Sequence, residues 1–143
     1  MKRGVGMDVT IKAIETPLGR LEYCIEQAKD AVDEVCGYLR VIGVMGDENY
    51  SVRIPLGIVS LKSLPALAYD MAGFYIGHYT KDHVLELMVF SVEEGTIVVA
   101  RGERGPTHVI GDEALHTFTW KGSAFTVRRA GSTGALSFIQ IRH

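Results

Sequence analysis

The densest run of groups able to do chemistry is Arg101-Gly102-Glu103-Arg104-Gly105-Pro106-Thr107-His108. Two guanidinium groups three residues apart, with a histidine and two glycines, suit an anion. Backbone N–H groups and an arginine fork can together hold a phosphate or a carboxylate. The run lacks both the G-x-x-x-x-G-K-[ST] and the G-x-G-x-x-G fingerprints of phosphate binding. Arg101, Arg104 and His108 are therefore candidate anion-binding residues, set against the plainer reading of a solvated connection between strands. Lys121, Arg128 and Arg129 form a second basic group beside Phe118, Trp120 and Phe125. Nucleic-acid bases stack on such rings, but a sheet also needs one apolar face, and these rings suit that role better. Arg128 and Arg129 alternate along a strand, so only one of them can share a face with any site.

Other chemistry is sparse. His78, Asp82 and His83 surround a turn containing Lys81 but have neither a second spaced histidine nor a cysteine partner, so no metal and no cofactor is expected. Cys24 and Cys36 are too few for a disulfide framework. On the helix expected below they stand ~18 Å apart, beyond bridging distance, and read as reduced, buried thiols. No G-x-S-x-G motif or zinc spacing appears, so no catalytic residue stands out and an enzyme ranks third among the function classes.

Charge sets further bounds. The chain of 143 residues has a formal net charge of −2, with 47% hydrophobic and 22% charged residues. That is an ordinary globular composition, expected to fold as a single domain over 1–143. Residues 1–100 carry nine Lys/Arg against fourteen Asp/Glu, and residues 101–143 six against three. Three or so cations on one surface would bind a nucleic-acid backbone weakly, so tight nucleic-acid binding is not expected. The start of the chain lacks an apolar leader, and the most apolar window, Ser63 to Thr80, contains Asp70 and His78. A cytoplasmic protein that does not enter membranes is expected. Asn49, Gln27 and Gln140 are the only side-chain amides, a depletion that leans toward a thermophilic source.

The elements that must position these groups are read from periodicity. Met7 to Ile14 alternates and predicts a strand. Leu18, Leu21, Ile25, Ala28, Val32, Val35 and Leu39 recur every three or four residues, which predicts a long amphipathic helix from Pro17 to Arg40. Val41–Met45 and Tyr50–Ser60 predict a hairpin turning at Asp47-Glu48-Asn49. A second, almost wholly apolar helix is expected after Ser63, with Phe74–Tyr79 open as helix or strand. Six strands follow, with a two-residue turn at Lys121-Gly122 that sets Trp120 against Ser123, Phe118 against Phe125 and His116 against Val127. The expected fold is α+β: an antiparallel sandwich or curved sheet with one long amphipathic helix and one shorter, strongly buried helix.

An excess of apolar faces then favours a non-enzymatic interaction protein, partnered by itself as a homo-oligomer or by another protein in a larger assembly. Leu64, Leu67, Met71, Phe74 and Tyr75 are its candidate interface. The alternative is a small-anion or nucleic-acid binding module using Arg101–His108 and the basic C-terminal third.

Overall fold

The computed structural model describes residues 8–17, 19–27, 34–45, 48–94 and 96–143. These contain twelve β-strands in antiparallel pairing and no helix, so the fold is all-β and the expected α+β class is overturned. The chain forms two compact units, Met1–Ser60 and Leu61–His143.

In the first unit, β1 (Val9–Thr16), β2 (Gly19–Gln27), β3 (Val35–Met45) and β4 (Glu48–Ser60) form an antiparallel meander. One face buries Leu21, Tyr23, Leu39, Val41 and Val59. The other is an ionic lattice. Glu22 accepts hydrogen bonds from Arg20 Nε at 2.9 Å and Arg40 Nε at 2.8 Å, and Arg20 also reaches Glu15. Burial alone would push the Glu22 carboxyl up, but the two arginines outweigh it and hold it below the usual carboxylate range. The Tyr38 hydroxyl donates to Asp8 at 2.6 Å, and the Arg53 guanidinium lies 3.7 Å from the Tyr38 ring centre while pairing with Glu26.

The helix expected over Pro17–Arg40 is thus replaced by β2 and most of β3. Leu18, Ala28 and Val32 of its stripe lie outside the described residues. The remainder of the stripe also satisfies period two: Leu21, Tyr23 and Ile25 point one way, and Arg20, Glu22, Cys24 and Glu26 the other. Tyr, Ile and Val at these positions favour a pleated surface. The cysteine geometry changes accordingly. Cys24 is paired with Tyr38 and Cys36 with Glu26 on neighbouring strands, not spaced along one helix. Both thiols are free; Cys24 is buried and Cys36 half-buried.

In the second unit, β5 (Ala66–Asp70), β6 (Gly73–Thr80), β7 (Leu85–Glu93) and β8 (Thr96–Arg101) pair in that order. A second sheet has the order β12 (Leu136–Arg142), β11 (Ser123–Arg129), β10 (Glu113–Trp120), β9 (Glu103–Ile110). Ala66, Tyr75, Tyr79, Leu85, Leu87 and Val89 from the first sheet pack against Phe118, Phe125, Val127 and Leu136 from the second. The expected sandwich therefore exists here without helices.

The helix expected after Ser63 is the β5–β6 hairpin, turning at Met71-Ala72, and Phe74–Tyr79 is strand. Its apolar character on every side has a sheet explanation. Tyr75 and Tyr79 enter the sandwich core while Ile76 and His78 are buried on the opposite face, and a strand buried on both faces reads as a continuous apolar run. The expected loop Arg101–His108 is instead a corner of one residue. Gly102 alone separates β8 (Thr96–Arg101) from β9 (Glu103–Ile110), which lies in the other sheet. The Gly102 N–H donates to Leu87 O at 3.0 Å, and a Cβ there would come within 2.7 Å of Leu87 Cδ2.

Candidate functional site

The inner face of the second sheet divides into an apolar and a polar part. The register places Leu136, Arg129, Ala114 and Val109 in one transverse row, and Phe138, Val127, His116 and Thr107 in the next. Phe125 and Phe118 follow, with Arg104 beside Phe118 on β9. Toward β12 the face is apolar. Its polar groups are Arg104 and Thr107 on β9, His116 on β10 and Arg129 on β11.

These groups are bonded to each other only in part. Arg104 Nη1 donates to Leu85 O at 3.1 Å, and its Nη2 lies 3.4 Å from His116 Nδ1. Thr107 Oγ1 lies 3.2 Å from the same Nδ1. A guanidinium only donates, so Nδ1 must accept, and the single proton of a neutral ring then sits on Nε2. Burial, with the charges of Arg104 and Arg129 adding to it, pushes the His116 pKa below the ordinary histidine value and keeps the ring neutral. His116 is 8% exposed, yet its Nε2 has no hydrogen-bond partner. Arg129 Nε and the hydroxyl of Ser63, 5% exposed, share that condition. Ser63 and Arg129 flank Gly134: a Cβ on Gly134 would stand 3.5 Å from Ser63 Oγ and 3.8 Å from Arg129 Nη2. Gly134 has φ +72°, which a side chain would also disfavour. Buried polar atoms are nearly always paired. His116 Nε2 and Arg129 Nε can only donate, and with the Ser63 hydroxyl they form a site lacking an acceptor.

The residues singled out in sequence separate. Arg104 belongs to this cluster. Arg101 faces away from the sandwich core, with Nε 3.4 Å from Glu86, which also contacts His78 at 2.9 Å. His108 is exposed on the outer face of β9, so the two arginines and His108 do not converge. Arg129 turns inward, whereas Arg128 turns outward into a two-bond pair with Glu113 at 2.7 and 2.6 Å. Lys121 Nζ sits 4.9 Å from the Trp120 ring centre in the hairpin turn, and Phe118 and Phe125 are core. Of the interface candidates, Tyr75 is fully buried in the core, Leu67 and Phe74 are half-buried, and Leu64 and Met71 are exposed.

Sequence reasoning missed Thr107 and His116 because strand pairing brings them together, and missed Ser63 because it meets Arg129 only around Gly134. It also missed a relay at the opposite end of the sandwich. Ser123 Oγ lies 2.8 Å from His143 Nδ1, and His143 Nε2 lies 2.5 Å from Asp70 Oδ2. Asp70 Oδ1 accepts from the Tyr75 hydroxyl at 2.6 Å and the Ala72 N–H at 2.8 Å. Burial would raise the Asp70 carboxyl, but the bonds from Tyr75, His143 and Ala72 prevail and hold it below the usual range. Those residues are separated by tens of positions, and no sequence signal links them.

Among the described residues, no group of three or more His, Cys, Asp or Glu side chains is gathered as metal ligands would be. Nor is any helix there long and apolar enough to cross a membrane, which says nothing of strands that cross as a barrel. Comparison with protein-family models, curated proteins and solved structures finds no match.

Proposed function

We propose that the protein is a binding module for a small oxoanion, a carboxylate or phosphate group, taken up between Arg104, Arg129, His116 and Ser63. The observation that carries this reading is the set of buried polar groups left unpaired at His116 Nε2, Arg129 Nε and Ser63 Oγ. An anion supplies the missing acceptor, and hydrogen bonds with a charged partner are about twice as strong as neutral ones. This keeps the anion alternative drawn from the sequence but moves its centre. Arg104 stays, His116 takes the place of His108, and Arg129 takes the place of Arg101.

Titration calorimetry with acetate and with inorganic phosphate at constant ionic strength tests the reading. Saturable binding is expected, reduced about tenfold or more by Arg129→Met, since loss of a charged hydrogen bond is worth roughly 1.5–3 kcal/mol. Arg101→Ala should leave it unchanged. Affinity should rise as pH falls, because a bound anion favours the imidazolium form of His116. Equal binding by all three proteins, or none, contradicts the proposal.

Self-association is the second reading. Met71, Tyr69 and Leu64 remain exposed beside the β5–β6 hairpin. The two helices whose apolar faces were among its grounds are absent from the described residues. Light scattering at micromolar concentration decides it, and a monomer removes it.

A further inference from the structure

We propose that Ser123 is an acyl-accepting nucleophile, activated by His143 and Asp70, at the end of the sandwich opposite the anion site. The proposal does not depend on anion binding. Three elements bring the groups together. Ser123 is the first residue of β11, directly after the tight turn at Lys121 (φ +46°) and Gly122 (φ +79°). His143 follows β12, and Asp70 closes β5. Asp70 is doubly restrained on Oδ1 by Tyr75 and Ala72, leaving Oδ2 for His143.

The proton positions follow from the partners. The Asp70 carboxylate can only accept, so His143 Nε2 carries the proton and Nδ1 is the free base that accepts from Ser123 Oγ. A base oriented by a carboxylate and bonded to a hydroxyl is the arrangement that makes serine nucleophilic. The two ring nitrogens are used in the reverse of the order familiar in serine hydrolases, which leaves the proton arithmetic unchanged. As Ser123 Oγ bonds to an ester carbonyl carbon, its proton passes to His143 Nδ1, and Asp70 stabilises the imidazolium. Collapse of the tetrahedral adduct breaks the bond to the leaving alcohol, which takes that proton. Water repeats the cycle on the acyl-serine, so ester and water give acid and alcohol. Ser123 is only 8% exposed and faces Trp120 across the hairpin, so the substrate class is a short-chain acyl ester. Asp70 acts through His143 and is a positioning residue.

The test uses the full chain and two probes, diisopropyl fluorophosphate and p-nitrophenyl acetate. Peptide mapping by mass spectrometry should find one phosphoryl adduct, on Ser123, formed with loss of fluoride from phosphorus. Ser123→Ala should abolish it, and His143→Gln should slow it at least a hundredfold with melting temperature little changed. Asp70→Asn should shift the pH profile of the labelling rate, which a purely structural role would not do. p-Nitrophenyl acetate should give a burst of p-nitrophenol matched to one acyl group per chain. No adduct on Ser123 in the folded wild-type protein overturns the proposal without recourse to any variant, and so does an adduct whose rate ignores His143→Gln. Either result makes the three groups a tether for β12.

Discussion

Ser63 and Ser123 are both buried serines of the same sandwich, at 5% and 8% exposure, and their hydroxyls are in opposite situations. Ser123 begins a chain of hydrogen bonds through His143 to Asp70 and on to Tyr75 and Ala72. Ser63 has no partner, and neither do His116 Nε2 and Arg129 Nε near it. A satisfied network contributes to stability whatever else it does. An unsatisfied one weakens the fold and persists for another reason. The anion reading rests on that difference, and mutations that treat the two ends alike are the way to break it.

The largest effect should fall on both ends together. Phe125 is 1% exposed, with its ring centre 4.9 Å from that of Tyr75. Phe125→Ala should cost about 3–5 kcal/mol in urea unfolding and should degrade both the relay and the donor cluster. A loss below about 1 kcal/mol would mean that the two ends do not share this core.

The next effects separate the ends. Asp70→Ala leaves the fully buried Tyr75 hydroxyl without its acceptor and should cost about 1–3 kcal/mol. Ser123→Ala, which removes one made hydrogen bond, should cost about 1 kcal/mol. Ser63→Ala removes a hydroxyl that has none and should be neutral or slightly stabilising without ligand. Chemical denaturation of the three variants checks the order, and equal losses for the two serines would erase the contrast.

Acid should also distinguish them. The His116 pKa is depressed in the fold, so the unfolded chain takes up the proton first as pH falls below about 6.5, and stability declines from there toward the folded value. Asp70 is depressed from 3.8, so its contribution is present above that pH and is lost only as pH falls through its lower folded value. His116→Leu should flatten the upper part of the acid stability curve. Asp70→Asn should flatten the lower part and leave the upper part intact.

What could be read from sequence followed the range of the contacts. The Lys121-Gly122 hairpin has the register its two-residue turn requires, from Trp120 opposite Ser123 to His116 opposite Val127, because a tight turn fixes pairing locally. The helices failed where period two and period 3.6 coincide. Leu21, Ile25, Val35 and Leu39 fit both templates, and tertiary burial decided for strands. The segment after Ser63 failed because burial on two faces removes alternation altogether. At the site, Arg104 was visible as a residue but not its direction. Arg101 and Arg104 diverge because Gly102 turns the chain into another sheet, and the bulge between Thr107 and Arg104 then sets which β9 side chains face His116.

The most direct test of the anion reading is long-range ¹⁵N–¹H NMR of the His116 ring at neutral pH. A neutral ring protonated at Nε2 is expected, with the Nε2 resonance shifting saturably as acetate or phosphate is added at constant ionic strength, and not shifting in Arg129→Met. A ring protonated at Nδ1, or an Nε2 signal indifferent to both anions, would contradict the account.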